Sequence, residues 1–116
     1  MKKILVVDDD EFILRAMATS LRRAGFDVLT ADDGEPALAI TEELDVIVVD
    51  YNMKSEVTGA DVVRHFKAQR PHVTCFVLSG EDDPDTRDAC MAAGAADVLL
   101  KPVSPVELRR RLSEAA

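Results

Sequence analysis

The sequence contains few cysteines, few basic residues and no long apolar run. Cys75 and Cys90 are the only cysteines among 116 residues, and two isolated thiols match neither a disulfide framework nor a metal-ligand spacing. The 14 basic residues are outnumbered by 22 acidic ones, so the formal net charge is -8. This balance argues against direct binding to nucleic acid or to an anionic membrane surface. No segment approaches the roughly 18 consecutive apolar residues of a membrane span.

The N-terminus also lacks the pattern of a secretory signal. Lys2 and Lys3 precede only four apolar residues before the first acidic side chain, which is too short for the apolar core of a signal peptide. We therefore expect a cytoplasmic protein with reduced thiols. Cations or basic proteins fit its charge better than nucleic acid or membranes do.

The sequence does contain an alternation of short apolar runs with longer stretches of helical periodicity, which is typical of parallel βαβ units. Its length fits one domain, spanning 1–116. We predict strands at Lys3–Val7, Asp27–Ala31, Val46–Asp50, Cys75–Ser79 and Asp97–Leu100. We predict helices near Glu11–Ala24, Glu35–Glu43, Gly59–Gln69, Pro84–Ala93 and Pro105–Ala115. The expected fold is α/β, a flavodoxin-like (βα)5 three-layer sandwich with a parallel five-stranded sheet in the order 2-1-3-4-5.

Two of these helices carry patterns that predict the exposure of their side chains. In the first helix, spacings of three and four residues predict a buried apolar stripe of Ile13, Met17, Leu21 and Ala24. In the last helix, Arg109–Arg111 lie near the C-terminus, where the helix dipole favours cations. We expect these arginines to form a solvated face.

Charged and polar side chains collect where the predicted strands end. The stretch VVDDDE passes directly from valines into four carboxylates, and like charges 4 Å apart repel by about 1 to 4 kcal/mol. In the order 2-1-3-4-5 the first and third strands are neighbours, so Asp8, Asp9 and Asp50 converge at one edge. Ser79 and Lys101 lie at the ends of the fourth and fifth strands, beside them.

This cluster indicates a site for a divalent cation and a phosphoryl group. Mg²⁺ takes oxygen ligands and is usually held by one or two carboxylates together with phosphate and water. A remaining carboxylate can act as a nucleophile, because aspartate forms aspartyl-phosphate intermediates. Lys101 and Ser79 would donate hydrogen bonds to the phosphoryl oxygens. Helix starts and turns are the simpler roles for the other acids of these loops: Asp10, Glu11, Asp32 and Asp33.

Four segments, ILVVDDD, VIVVDYNM, FVLSG and GAADVLLKP, occur in this order along the chain. Together they resemble the receiver domain of two-component response regulators, over the whole chain. The resemblance implies a phosphorylation-controlled signalling module. Its phosphoryl donor would be a sensor histidine kinase or a phosphotransfer protein, and its output would be altered binding to a downstream protein. It implies no enzymatic activity beyond the module's own phosphorylation and dephosphorylation. The sequence fits either a stand-alone regulator or one part of a longer protein.

The resemblance also implies roles for the acidic residues. Asp50 would accept the phosphoryl group. Mg²⁺, or Mn²⁺ in its place, would be bound by Asp50, directly by Asp9, through water by Asp8, and by the backbone carbonyl of Asn52.

The remaining site residues take their implied roles from the same family. Ser79 occupies the hydroxyl position, Lys101 pairs with the phosphate, and the Lys101–Pro102 bond is expected to be cis. Asn52 and Glu81 lie two residues after the acceptor and the hydroxyl residue. This polar pair resembles that of the single-domain chemotaxis regulators, which lose phosphate quickly, so we expect a short-lived signal.

The sequence departs from the family pattern at a few positions. Lys54 stands where proline is common, and Gly59 follows the acceptor by one residue more than expected, so MKSEVTG forms a lengthened loop. Gly80 replaces a common alanine and allows more backbone freedom. Val98 replaces the usual aromatic side chain and is short and stiff at χ1. We therefore expect the signal to leave through the loops around Gly80 and Lys54.

Three alternatives remain beside this prediction. A pseudo-receiver would bind partners without phosphorylation, although Asp9, Asp50 and Lys101 are all in place. A phosphatase of the haloacid dehalogenase type would need a second acid where Asn52 stands, and a cap for its substrate. A dinucleotide-binding fold would need a G-x-G-x-x-G segment after the first strand, and the sequence has none there.

Overall fold

The computed structural model describes residues 1–115 and contains five strands alternating with five helices. The strands are β1 (Lys3–Val7), β2 (Asp27–Ala31), β3 (Val46–Asp50), β4 (Thr74–Ser79) and β5 (Asp97–Leu100). The helices are α1 (Glu11–Arg23), α2 (Gly34–Leu38), α3 (Gly59–Gln69), α4 (Pro84–Ala93) and α5 (Pro105–Glu114). Apart from α2, each element lies within one residue of its predicted bounds.

The five strands form one parallel sheet in the order β2-β1-β3-β4-β5. This confirms the predicted fold class and strand order. Val7 at the end of β1 lies beside Val49 of β3, and Asp50 lies beside Leu78 of β4. The carboxyl ends of the three central strands therefore meet at one edge, which brings the residues that follow them together.

The centre of the sheet is apolar on both faces, as expected for parallel strands covered by helices on each side. Every residue of Ile4–Val7 and Ile47–Val49 is fully buried. One face of the sheet packs against α3 through Phe66, and the other packs against α1 and α5 through Leu21 and Leu112. Rigid central strands of this kind hold the residues at their ends in fixed positions.

Helix α1 buries a stripe that matches the predicted one at Leu21 and in part at Met17, but not at Ile13 or Ala24. Leu14, Ala18 and Leu21 are buried, whereas Ile13 is 37% exposed and Ala24 lies on the surface. Helical spacing fits either stripe, because side chains one residue apart differ by about 100° around the axis. The position of the sheet relative to the helix decides which stripe is buried.

Helix α2 is shorter than predicted, with Gly34–Leu38 in place of Glu35–Glu43. The last turn is closed by hydrogen bonds that span three residues, from the Ala39 N–H to the Pro36 carbonyl at 3.2 Å and from the Ile40 N–H to the Ala37 carbonyl at 3.1 Å. The segment that follows then leads to the sheet. Leu44 is buried, and Asp45 exchanges two hydrogen bonds with Lys3 at the start of β1, through its backbone N–H at 2.9 Å and its carboxylate at 2.8 Å. These contacts require an irregular segment before β3.

The prediction of a solvated arginine face is wrong for Arg111. Its guanidinium lies 2.5 Å from Asp97 at the start of β5 and 5.6 Å from the centre of the Phe76 ring. The ion pair and the cation–π contact attach α5 to the sheet. No helix within residues 1–115 combines the length and the apolar character needed to cross a membrane.

Candidate functional site

Two aspartates and one lysine form an ion-paired group at the carboxyl edge of the sheet. Asp8 follows β1, Asp50 ends β3 and Lys101 follows β5. The Lys101 Nζ atom lies 2.9 Å from Asp50 Oδ1 and 3.6 Å from Asp8 Oδ2. Asp8 is 1% exposed and Asp50 is 7% exposed, so these carboxylates are held in a region from which water is largely excluded.

Lys101 reaches the acidic residues from the outer strand of the sheet. Its backbone N–H donates to the Ser79 carbonyl at 2.8 Å, which continues the pairing of β5 with β4 by one residue. The peptide bond from Lys101 to Pro102 is cis. The sheet therefore sets the position of the lysine backbone, and the side chain spans the width of β4 to reach Asp50.

The Asp8 carboxylate is only half satisfied by protein groups. Its Oδ1 accepts a hydrogen bond from the Asp10 N–H at 2.9 Å. Its Oδ2 is buried without a hydrogen-bond partner in the described part of the chain. A buried anionic oxygen in this state is costly, so the site favours an additional cation.

The acidic side chains are close enough to share such a cation. Asp8, Asp9 and Asp50 each offer an oxygen, and these oxygens lie within 4.8 Å of one another. Carboxylate oxygens are the ligands that hard divalent cations such as Mg²⁺ prefer. The unsatisfied Oδ2 of Asp8 and this set of donors fit a divalent metal ion.

Opposing effects set the protonation of the central pair. Burial raises the pKa of the Asp50 carboxyl above its ordinary value, and the charges of Asp8 and Asp9 add to this rise. The hydrogen bond and the charge of Lys101 oppose it. For Lys101, burial acts to lower the pKa, but the hydrogen bond and the charge of Asp50 outweigh burial and raise it. Lys101 is thus held as a cation beside the carboxylate.

Ser79 lies at the same edge, but its hydroxyl is directed into its own loop. The residue is 2% exposed. Its Oγ donates to the Glu81 carbonyl at 3.1 Å and accepts from the Glu81 N–H at 3.2 Å. A rotation of the Ser79 side chain would release both bonds and free the hydroxyl for another acceptor.

The β3–α3 loop, residues 51–58, begins directly at Asp50 and carries the exposed Asn52. The loop is closed by a hydrogen bond from the Gly59 N–H to the Tyr51 carbonyl at 3.0 Å. A Cβ atom at Gly59 would lie 2.8 Å from the Asp50 carbonyl oxygen and 2.9 Å from the Tyr51 Cα. Only glycine allows α3 to begin this close to the end of β3.

The structure places Val98 in β5, partly buried against the core. Arg87 of α4 lies next to it and was not identified from the sequence. Its guanidinium donates to the Asp97 carboxylate at 2.9 Å and to the Val98 carbonyl at 3.4 Å. Local sequence patterns contain no signal for this pairing, because Arg87 and Asp97 are ten positions apart and lie on different elements.

Asp32 and Asp33 lie outside the ion-paired group. Asp33 is the N-cap of α2, and its carboxylate accepts from the Gly34 N–H at 2.6 Å, which confirms the predicted cap. Burial acts to raise the pKa of Asp33, but hydrogen bonds from Ser55 and Gly34 outweigh it and lower the pKa. The contact with Ser55 is another feature that sequence reasoning missed.

Comparisons with known proteins agree with this geometry. The family described as "Response regulator receiver domain" matches residues 4–113. The alkaline phosphatase synthesis transcriptional regulatory protein PhoP of Bacillus subtilis is 39% identical over 96% of this chain and 47% of its own length. A cyclic di-GMP phosphodiesterase of Thermotoga maritima is 37% identical over 97% of this chain and 30% of its own. The chain therefore spans less than half the length of these relatives.

A solved structure matches over its full length. The chemotaxis protein CheY4 of Vibrio cholerae is 33% identical, with a TM-score of 0.91, and the match covers 100% of this chain and 99% of that one. The sheet order, the acidic edge and the extent of these matches lead to one conclusion. The chain belongs to the response regulator receiver domain family of two-component signalling.

Proposed function

We propose that this receiver domain, over residues 1–116, accepts a phosphoryl group on Asp50 and thereby changes its binding to a partner protein. The observation that carries the proposal is the hydrogen-bonded approach of Lys101 to Asp50, next to the unsatisfied oxygen of Asp8. Together they form a buried anionic site with one fixed cation. A divalent cation bound by the carboxylates would offset the surplus negative charge, so that the site could accept a phosphoryl group beside Lys101.

The chemical step is a transfer of the phosphoryl group to Asp50. A carboxylate oxygen of Asp50 attacks phosphorus and forms a new P–O bond. The bond from phosphorus to the donor breaks, and the leaving atom of the donor, an imidazole nitrogen or an acyl phosphate oxygen, keeps its electron pair. Lys101 donates to a phosphoryl oxygen as negative charge builds there. Attack of water on the same phosphorus reverses the modification and releases inorganic phosphate, so the catalysis acts only on the domain's own phosphoryl group.

Mg²⁺, or Mn²⁺ with the same oxygen chemistry, would be held by Asp8, Asp9, Asp50 and the backbone carbonyl of Asn52. The bound ion supplies positive charge that neutralises the phosphoryl oxygens and the crowded carboxylates. The chain's own residues would position the phosphoryl group. Lys101 would orient it. Ser79, once released from Glu81, donates its hydroxyl to a phosphoryl oxygen.

Asn52 and Glu81 would control how water reaches the phosphoryl group. Both are exposed beside the site, on the β3–α3 and β4–α4 loops. Exposed polar side chains at these two positions leave the phosphoryl group open to water, so we propose a short-lived modification. Apolar substitutions at either position should slow phosphate loss in a time course.

The partners follow from the family and from the surface. We propose that this domain is cytoplasmic, that its donor is a sensor histidine kinase or a phosphotransfer protein and that its downstream target is a protein, with no direct contact to nucleic acid or membrane. Phe12, at the start of α1 and close in sequence to Asp9, is 83% exposed. With Ile13 and Val103 it lines an apolar surface groove, and an exposed apolar patch of this kind favours a protein donor over a small molecule alone.

Acetyl phosphate labelling in the presence of Mg²⁺ tests the proposal. Intact-mass measurement should show one added phosphoryl group in the wild-type protein and none in Asp50→Asn. Asp45→Asn is a matched control, because Asp45 precedes β3 and lies at the opposite edge of the sheet; it should be labelled like the wild type. Labelling of Asp8 or Asp9 would contradict the assignment.

The same experiment separates the alternatives. A pseudo-receiver would show no labelling under any Mg²⁺ concentration while still binding its partner. A haloacid-dehalogenase-type phosphatase would release phosphate from many small substrates with multiple turnovers. The receiver domain proposed here takes the phosphoryl group only from an imidazole nitrogen or an acyl phosphate oxygen, so it should release no phosphate from simple phosphate monoesters.

A further inference from the structure

The β3–α3 loop is attached to the start of α2 by a contact that the proposed phosphoryl chemistry does not itself use. Ser55 Oγ donates to Asp33 Oδ1 at 2.8 Å, and the Ser55 N–H approaches the same oxygen at 3.3 Å. That oxygen also accepts the N–H of Gly34 at the beginning of α2. One carboxylate oxygen therefore joins two loops that arise from different strands.

Close packing accompanies these hydrogen bonds. A Cβ atom at Gly34 would lie 2.7 Å from the Val57 side chain, so Val57 lies directly on the helix start. The Val57 N–H also approaches Ser55 Oγ at 3.3 Å. Residues 55–57 thus contact α2 through both hydrogen bonds and packing, and we call this contact the Ser55–Asp33 tether.

The two ends of the loop are anchored independently of the tether. At the first end, the Tyr51 N–H donates to the Leu78 carbonyl of β4 at 2.9 Å. At the far end, Thr58 and Asp61 form a reciprocal capping box that begins α3. Between the anchor at Tyr51 and the tether lies Asn52–Lys54, the segment that follows Asp50.

We propose that Ser55 and Asp33 are positioning residues that hold the Asn52–Lys54 segment in place for metal binding at the phosphoryl site. The inference rests on the proposed function, in which the Asn52 carbonyl is a metal ligand. A loop one residue longer than the family pattern has more accessible conformations. Fixing it at Ser55 reduces the ordering required when the metal binds, which preserves affinity.

Substitution of Ser55 tests the tether. In Ser55→Ala, amide hydrogen exchange at positions 55 and 57, whose N–H groups donate within the tether, should accelerate in the metal-free protein. The affinity for Mg²⁺ should fall about tenfold, the usual effect of losing a residue that orients a ligand. Tyr51 is the only tyrosine, and the chain has no tryptophan, so its fluorescence reports Mg²⁺ binding next to Asp50. Ser55→Thr keeps the hydroxyl and should restore both measurements.

Ser104→Ala is the matched control. Ser104 Oγ accepts the Glu107 N–H at 3.1 Å at the start of α5, so this variant also loses one serine hydrogen bond at a helix start. Its Mg²⁺ affinity and its exchange at Ser55 and Val57 should match the wild type. Faster exchange throughout the domain in Ser55→Ala, rather than only around the tether, would show a merely structural role and overturn the proposal.

The outcomes distinguish this inference from the proposed function. Wild-type Mg²⁺ affinity and wild-type exchange in Ser55→Ala, in a protein that is phosphorylated on Asp50, would refute the tether alone. A wild-type protein that accepts no phosphoryl group would refute the proposed function. In that case the exchange and metal measurements still report whether Ser55 positions the loop.

Discussion

Two loops flank the Asp50–Lys101 pair, and they are held in opposite ways. The β3–α3 loop is joined to α2 through the Ser55–Asp33 tether and is closed by Gly59, which lies against the Asp50 backbone. The β4–α4 loop, residues 80–83, is different. The hydrogen bonds recorded for its side chains, within residues 1–115, stay inside the loop or reach the start of α4. A Cβ atom at Gly80 would meet nothing within 4 Å.

This difference predicts different roles for the two loops, one in metal binding and the other in conformational change. The tethered loop supplies a fixed framework for the metal, because moving it would break contacts to a second element. The β4–α4 loop can rearrange at low cost, because only its own hydrogen bonds need to be exchanged. A phosphoryl group shifts the equilibrium only through contacts that differ between the two states, and in the proposed function the Ser79 hydroxyl would supply such a contact.

Metal binding should give the largest change in stability, and it should act mainly on the tethered β3–α3 loop. Mg²⁺ at 100 times its Kd should stabilise the native state by about 2.7 kcal/mol, because it neutralises the crowded Asp8, Asp9 and Asp50. Thermal unfolding measures this gain, and Asp9→Asn should lose most of it. Amide exchange should slow more at residues 52–55 than at residues 80–83. An unchanged melting temperature in millimolar Mg²⁺ would refute the metal assignment.

Substitution of Gly59 or Gly80 by alanine should change the stability in opposite directions and so distinguish the two loops. Gly59→Ala forces a Cβ atom against the Asp50 backbone, and such overpacking costs about 1–3 kcal/mol. Gly80→Ala meets no neighbour and has no positive φ, so reduced freedom of the unfolded chain should stabilise it by about 0.4–1 kcal/mol. Urea unfolding of both variants gives the two values. Equal costs at the two glycines would remove the distinction between the loops.

Two carboxylates on different strands should respond to pH with opposite signs. The pKa of Asp50 is raised by burial, so its contribution to stability is present at low pH and is lost as pH rises through that pKa. Asp50→Asn should therefore raise the melting temperature at pH 7 in metal-free buffer. The gain should shrink as pH falls through the raised pKa.

Asp97 is the matched comparison. Burial acts to raise its pKa, but the hydrogen bonds from Arg111, the Val98 N–H and Arg87 outweigh burial and lower it. Its contribution is thus present above the ordinary pKa of aspartate and is lost as pH falls through the lowered value. Asp97→Asn should lower the melting temperature at pH 7, with a smaller loss in acid. Changes of the same sign in both variants would contradict this account.

Addition of a beryllofluoride phosphoryl mimic should give the smallest effect at Val98. Amide and methyl NMR shifts should change most in Gly80–Asp85, less in the tethered Met53–Gly59, and least at Val98, Val103 and Leu108. Val98 has no ring to move inward and one strongly preferred χ1 in its strand. The largest shifts at Val98, with little change at Gly80–Asp85, would show that the signal leaves through the β5 face instead.

The sequence predicted the buried strands from their apolar runs, and it predicted the clustering of the acidic residues from the geometry of parallel strands once the order 2-1-3-4-5 was adopted. Buried valines such as Val6 and Val48 identify central strands by their apolar runs alone. Residues that end such strands then meet at one edge, whatever the helices do. Asp8, Asp50 and Lys101 could therefore be placed together before any contact was known.

Contacts between separate loops could not be predicted in this way. Periodicity placed Ile13 in the buried stripe of α1 although the sheet covers Leu14, and it extended α2 to Glu43 although the helix ends at Leu38. The pairing of Ser55 with Asp33, and of Arg87 with Asp97, joins residues 22 and 10 positions apart. Such pairs depend on how elements approach in space, which local propensity does not encode.

The sequence by itself determined the chemistry at the carboxyl edge: carboxylates after β1 and β3, a hydroxyl after β4 and an ammonium group after β5. The tertiary structure alone decided which of these groups are satisfied. It left Asp8 Oδ2 without a hydrogen-bond partner in the described chain and directed Ser79 into its own loop. It also attached the β3–α3 loop to α2, whereas, within residues 1–115, the side chains of the β4–α4 loop bond only within that loop and to the start of α4. The physical reason is that residue type sets which bonds a group can make, while packing sets which partners come within reach.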